Sequence, residues 1–184
     1  MNLELIRNSI TSEINPILSN NNETKLSSVL IIIFEDSPKI LMIKKPVTMK
    51  HHGGEIAFPG GKISNEDKDL LDTAIRETFE ETGIKIKRED VVGQLNPVTT
   101  LNSGFTILPF VCVLNKVKNL TPNSEVDEFL EIPLMPFLQT LEKDSDPEHT
   151  SIQEMYAFRF EKHLIWGASA RMLKQITIKL RINE

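Results

Sequence analysis

Cysteine is almost absent: the 184 residues contain one, Cys112. A single thiol excludes an internal disulfide framework and any cysteine-rich zinc site. It stands inside the apolar run Phe110-Val111-Cys112-Val113-Leu114, where a small buried hydrophobe is the expected role, not a nucleophile. Long hydrophobic runs are missing too. None reaches the ~18 residues of a membrane helix; the longest candidate, Val29 to Phe34, is short and isoleucine-rich and reads as a strand. The N-terminus carries Glu4 and Arg7 and then turns polar, without a signal-peptide pattern. A cytoplasmic protein with no membrane partner is the expectation. Nor is there a basic excess: 21 Lys and Arg against 26 Asp and Glu leave a formal charge of −5, which argues against a nucleic-acid partner. Internal repeats, low-complexity segments and interdomain linkers are absent as well.

What is present is an ordinary globular composition, 40% hydrophobic and 26% charged, in a chain long enough to bury a core without staples. One domain over residues 1–184 is expected, with 1–24 as an N-terminal helix and loop. Leu3, Ile6, Ile10, Ile14 and Leu18 recur at roughly helical spacing and predict a helix ending near Pro16. Strands are expected over Ser28–Phe34 and Ile40–Lys44, joined through Asp36-Ser37-Pro38 as a hairpin. A short segment, Glu55–Phe58, leads into Pro59-Gly60-Gly61. From about Asp67 to Thr82 the period is helical, with Leu71, Ala74, Ile75 and Thr78 in one stripe, Phe79 beside it, and Gly83 as the stop. Further strands are expected over Val91–Leu95, Phe105–Leu114, Glu131–Leu134 and Met155–Phe160, and a helix from about Ala168 to Ile176. Without regular βαβ alternation, this order predicts an α+β fold, an α/β/α sandwich with mixed sheets. Trp166 is read as a core residue, not as a platform for a base.

The segment with chemical content runs from Gly60-Gly61 to Ile84. Glu77, Glu80 and Glu81 stand at i, i+3 and i+4, so the three carboxylates share one helix face, expected to point away from the apolar stripe. A solvated acidic face is one reading. A metal site is the other, because Glu80 and Glu81 lie in the last helical turn, where the dipole disfavours carboxylates by roughly 0.3–1 kcal/mol each. Hard oxygen ligands select Mg²⁺ or Mn²⁺ over zinc. Such an ion activates water and neutralises phosphate charge, and a remaining carboxylate can serve as general base. Arg76 can offset part of the repulsion by pairing with Glu80.

Gly61-x5-Asp67-x8-Arg76-Glu77-Thr78-Phe79-Glu80-Glu81-Thr82-Gly83-Ile84 resembles the Nudix box, G-x5-E-x7-R-E-U-x-E-E-x-G-U with U a bulky apolar residue. It departs by one extra residue before Arg76, by Asp67 in place of glutamate, and by Thr78 at the first U. Lys45-(x4)-Lys50-His51-His52-Gly53-Gly54-Glu55-Ile56-Ala57-Phe58-Pro59-Gly60-Gly61-Lys62 is similar to the segment that precedes the box in coenzyme A diphosphatases. Lys45 and Lys50 replace arginines of that pattern, keeping charge but not the bidentate fork. Later stretches around Gly93, Ser103-Gly104-Phe105, Glu125 to Glu128 and Trp166-Gly167 resemble the same branch, so the likeness spans about residues 28 to 175.

The resemblance implies that Glu77, Glu80 and Glu81 ligate the ions, with Gly60 or Gly61 adding a backbone carbonyl. Arg76 orients the glutamates, and Glu125 or Glu128 supplies a base or a further ligand from a loop. Lys45, Lys50 and His52 form a basic cluster suited to substrate phosphates, alongside Gly54. Glu55 holds the metal site or the substrate. The implied reaction is hydrolysis of the coenzyme A diphosphate to adenosine 3′,5′-bisphosphate and 4′-phosphopantetheine. A Nudix hydrolase of ADP-ribose, dinucleotides or nucleoside triphosphates is the alternative. Isopentenyl diphosphate isomerisation uses a catalytic cysteine, which Cys112 fits poorly. A silent binding fold is disfavoured by the intact glutamate set. The wider fold often dimerises, so a homodimer belongs among the expectations.

Overall fold

The computed structural model describes residues 1–18, 25–49, 53–100, 103–145 and 155–182. In chain order the elements are helix α1 (Leu3–Ile10), strands β1 (Lys25–Phe34), β2 (Lys39–Lys44), β3 (Ile56–Ala57) and β4 (Gly60–Lys62), and helix α2 (Leu70–Thr82). Strands β5 (Val91–Gln94), β6 (Val98–Thr99), β7 (Phe105–Leu114) and β8 (Glu128–Pro133) follow, then helix α3 (Leu134–Leu138). The remainder is β9 (Glu142–Lys143), β10 (Tyr156–Phe160), β11 (His163–Ile165) and helix α4 (Gly167–Lys179).

β1 organises the main sheet. It pairs antiparallel with β2 through the expected hairpin, parallel with β7 over its whole length, and antiparallel with β4 at Ser27–Val29. β2 carries β3 and β8 on its far side, and β7 carries β5 and β6. Val29, Ile31 and Ile33 join one core cluster, while Leu30, Ile32 and Phe34 join the other. A strand covered on both faces loses polar alternation, which is why β1 reads as one apolar run. Helices α1, α3 and α4 cover the first face, with Ile6, Ile10, Phe137, Leu173 and Ile176 fully or nearly fully buried. Helix α2 covers the second through Leu70, Leu71 and Ala74. Each such side chain contributes about 1.5–3 kcal/mol by leaving water. The result is a helix–sheet–helix sandwich with a mixed sheet. A small antiparallel sheet, β11-β10-β9, packs beside it, with Phe158 against Phe137 at 5.6 Å between ring centres.

Several expectations are corrected. α1 stops at Ile10, not near Pro16. Ser12 instead pairs with the edge of β5: its N–H donates to Val92 O at 3.2 Å and its Oγ accepts from Gln94 N at 2.9 Å. Ile14 and Leu18 then reach the core cluster under α2, whereas α1 packs on the other face. One straight helix could not serve both faces. β8 begins at Glu128 and ends at Pro133, because its six-pair register with β2 sets its length, and Leu134 opens α3. Phe79 is largely exposed, with Lys85 Nζ 5.9 Å from its ring centre. Cys112 is fully buried, and burial pushes its thiol up to about 12, as its apolar setting implied. Among the described residues no helix is long and apolar enough to cross a membrane.

Candidate active site

The site forms where β4 is squeezed between β1 and the C-terminal half of α2. Asp69 starts that helix by accepting from the N–H groups of Leu71 and Asp72, and Gly83 ends it at φ 75°. These two caps set the helical phase of the glutamates. A side chain at Gly60, where φ is 155°, would place its Cβ 2.2 Å from Ser28 O. A Cβ at Gly61 would lie 2.3 Å from Glu77 Cδ. Two glycines in a row therefore let the strand backbone reach the carboxylates directly.

The glutamates do not share one solvent face, as the spacing suggested. Glu81 is 2% exposed and turns inward: its Oε2 accepts from Gly60 N at 2.8 Å. Its Oε1 has no hydrogen-bond partner among the described residues, although Lys45 Nζ stands 3.9 Å away. Burial pushes the Glu81 carboxyl up to about 7, opposed by the Gly60 bond and Lys45, and reinforced by Glu77 and Glu125. Glu77 is partly buried and accepts from Arg76 Nη1 at 2.8 Å. Burial raises its pKa, Arg76 works against that, and the Glu80 and Glu125 charges add to it. Only Glu80 projects outward, 51% exposed, with Oε1 3.3 Å from Arg76 Nη1. The close approach of β4 is the reason: the 77/81 stripe meets backbone where an isolated helix would meet water.

Arg76 is locked from behind. Asp67, only 3% exposed, accepts from Arg76 Nε and Nη2, both at 2.9 Å, and also from Ser64 N and Thr73 Oγ1. The Arg76 guanidinium holds the Asp67 carboxyl well below the usual carboxylate range, outweighing burial. Arg76 Nη2 also donates to Lys62 O at 3.2 Å. The aspartate thus makes a two-pronged grip on Arg76 across the loop that contains the extra residue. The sequence alone gives Asp67 no role beyond its place in the box spacing.

The other expected residues divide. Glu125 is exposed on the loop before β8, near enough for its charge to raise the pKa of both Glu77 and Glu81. Glu128 instead lies 3.8 Å from Lys44 Nζ, beside Asp127 at 3.4 Å. Lys45 N donates to Glu55 O at 2.9 Å and Gly54 N to Lys45 O at 3.0 Å, closing the loop after β2. Gly54 sits at φ 77° in that closure. Lys45 and Glu55 line the adjoining cleft. Lys50 and His52 lie outside the described residues.

That cleft holds about 370 Å³. Gly60 and Gly61 form its wall toward the glutamates, Phe58, Phe105 and Ile107 supply apolar surface, and the start of α4 closes the opposite side. Trp166, expected in the core, is only partly buried and stands in the cleft wall just before α4. Sequence reasoning also missed Phe105 and Arg171 as cleft residues. No local pattern joins them, since the chain brings them together from β7 and α4.

The Glu81 oxygen without a partner, beside a second carboxylate whose pKa is also raised, fits a hard cation. Among the described residues no three His, Cys, Asp or Glu side chains converge as a ready ligand set. A magnesium-type ion takes one or two carboxylates and completes its shell with water and substrate phosphates. The Glu77/Glu81 pair meets that requirement.

The family described as NUDIX domain matches residues 24–155. The uncharacterized Nudix hydrolase NudL of Photorhabdus laumondii is 32% identical over 168 residues, covering 90% of this chain and 89% of its own. The protein of the same name from Pectobacterium atrosepticum is 29% identical, covering 90% and 88%. Among solved structures, a MutT/nudix family protein from Enterococcus faecalis superposes with a TM-score of 0.63 at 15% identity, over 90% of this chain and 65% of the other.

Proposed function

Because the chain belongs to the Nudix family, whose hydrolases act on pyrophosphate bonds, we propose that it hydrolyses the diphosphate of coenzyme A or its derivatives, giving adenosine 3′,5′-bisphosphate and 4′-phosphopantetheine. The observation that carries this reading is the shared use of one segment. Residues from Lys45 to Gly61 resemble the coenzyme A diphosphatase pattern, and Lys45, Glu55, Phe58, Gly60 and Gly61 of it also line the cleft beside Glu77 and Glu81. A cleft of this size, with apolar walls and a few convergent polar groups, suits a nucleotide-sized ligand.

Nudix hydrolases use divalent metal ions; here we assign Mg²⁺ or Mn²⁺ to Glu77 and Glu81, with Glu80 and the Gly61 backbone as further oxygen donors. When bound, such an ion neutralises phosphate charge and lowers the pKa of water. The protein's own groups do the rest. Arg76, held by Asp67, fixes the Glu77 carboxylate in one orientation. Gly60 N holds Glu81 through one oxygen, leaving the other turned toward Lys45 and available to a ligand. Lys45 supplies positive charge at the cleft wall for the substrate phosphates. Glu125, on a loop whose field already reaches the pair, is the candidate base.

A Nudix hydrolase of ADP-ribose or a dinucleotide is the second reading. It is favoured by Lys45, which stands where the coenzyme A pattern has an arginine and is drawn to Glu81 at 3.9 Å. The test is incubation of the protein with coenzyme A, ADP-ribose and a diadenosine polyphosphate, each with Mg²⁺ and with Mn²⁺, followed by product separation. Adenosine 3′,5′-bisphosphate released from coenzyme A as the fastest reaction supports the first reading. Faster turnover of ADP-ribose or the dinucleotide overturns it and keeps the Nudix chemistry.

A further inference from the structure

The cleft is a slot between two layers. Its floor is the sheet face at the start of β1 and β7, where Ser27 pairs with Ile107 and where Val29, Phe105 and Ile107 line the opening. Phe105 and Ile107 are alternate residues of β7, so they share one face. Its roof is the start of α4, which contributes Ala168 and Met172. That part of the helix is pinned to both flanks of the sheet. Ser169 Oγ donates to Ile56 O of β3 at 3.3 Å, and Arg171 Nη2 donates to Thr99 O of β6 at 2.8 Å. Floor and roof are therefore held at a fixed spacing. Trp166 enters from the junction of β11 and α4. Ile165 before it is fully buried in the core, and on extended backbone the next side chain points the opposite way. Trp166 is only partly buried and lines the cleft, so indole surface is open to a ligand. The hydroxyls of Thr100 and Ser103 line the cleft as well, 2.7 Å apart.

We propose that this slot takes the purine ring of the substrate, with Trp166 as its stacking surface and the Thr100/Ser103 hydroxyls at its polar rim. A nucleobase is planar, with apolar faces and hydrogen-bonding edges. Apolar walls from two layers match the faces, and indole is a large π surface for stacking. Hydroxyls both donate and accept, so they suit the edge. This rests on the cleft being the nucleotide site and not on which substrate is cleaved, because coenzyme A, ADP-ribose and diadenosine polyphosphates all carry adenosine.

Trp166 is the only tryptophan of the chain, so intrinsic fluorescence, excited beyond the adenine absorption, reports on this one ring. Titration of the full chain with AMP is expected to quench it saturably, and ribose 5-phosphate and 4′-phosphopantetheine to leave it largely unchanged. Equal or stronger quenching by either adenine-free ligand overturns the proposal, as does an emission that AMP leaves unaltered. Calorimetry then separates stacking from a structural role. The wild type should bind AMP at least tenfold more tightly than ribose 5-phosphate. Trp166→Leu should weaken AMP by roughly tenfold, the contribution of one base stack, and leave ribose 5-phosphate unchanged, while Trp166→Phe keeps most of the AMP affinity. Equal loss for both ligands, or a loss in Trp166→Phe as large as in Trp166→Leu, would mark Trp166 as structural and overturn the proposal. These are binding measurements, so a failure to cleave coenzyme A overturns the proposed function alone and leaves this test standing.

Discussion

Gly61→Ala separates the placement of one carboxylate from the stability of the fold. The new Cβ would stand 2.3 Å from Glu77 Cδ and 2.4 Å from its Oε1, whereas carbon atoms rest about 3.5–4.0 Å apart. The Glu77 carboxylate must therefore move by more than ~1 Å. A displacement of that size in a reacting constellation costs about 10²-fold in rate, or roughly 2.7 kcal/mol of barrier. What yields is the tip of a flexible side chain and not backbone, so thermal stability should fall by less than ~1 kcal/mol. Gly60→Ala is the contrasting variant. Its Cβ meets the Ser28 backbone oxygen at 2.2 Å, and φ is 155°, so strain enters the β1–β4 pairing and the fold loses more than ~1 kcal/mol. The assay is steady-state turnover of the substrate that the wild type cleaves, beside thermal unfolding followed by circular dichroism. Wild-type kcat in Gly61→Ala, or unfolding of that variant to the same degree as Gly60→Ala, would refute the reasoning.

Three further outcomes are expected. Glu77→Gln should abolish measurable turnover while leaving the unfolding temperature near the wild-type value; surviving activity would show that the site is misassigned. Glu81 has a folded pKa of about 7, above its unfolded value. It therefore favours the fold below the unfolded pKa of about 4.3 and loses that contribution as pH rises through 7. Without divalent ions, Glu81→Gln should stabilise the protein at pH 8 by up to roughly 3 kcal/mol and flatten its pH dependence; thermal scans from pH 4 to 8 check this, and added Mg²⁺ or Mn²⁺ should stabilise the wild type more than the variant. Asp67 has the opposite sign: its folded pKa is depressed by Arg76, so its stabilisation is present above the unfolded value of about 3.9 and lost as pH falls through the folded one. Asp67→Asn should cost about 3 kcal/mol at pH 7 and show a shallower loss of stability below pH 4, measured by urea unfolding across that range.

The legible parts of the chain were those with a strong local period or a dense motif. Phe105–Leu114 was bounded correctly because ten mostly apolar residues between polar turns admit little else. The helix carrying the glutamates declared its end through Gly83. Boundaries failed where a distant partner decided them: Ser12 is drawn out of α1 by β5, and β8 takes its length from β2. The two-residue strands β3, β6 and β9 are too short to show any period.

For the site, the sequence by itself determined where the candidate residues stand: Arg76, Glu77, Glu80 and Glu81 on one helix, preceded by two glycines. Spacing along a single helix is a local property, and so is a motif. Only the tertiary structure decided how those carboxylates differ. Contact with Gly60 and Gly61 buries Glu81, half-buries Glu77 and leaves Glu80 in water. Burial in turn sets their proton affinities, because a charge's cost depends on the surrounding medium and not on its position in the chain. The cleft is tertiary for the same reason. Phe105, Trp166 and Arg171 become neighbours of Lys45 and Lys62 only once β7 lies parallel to β1 and α4 docks across the sheet end.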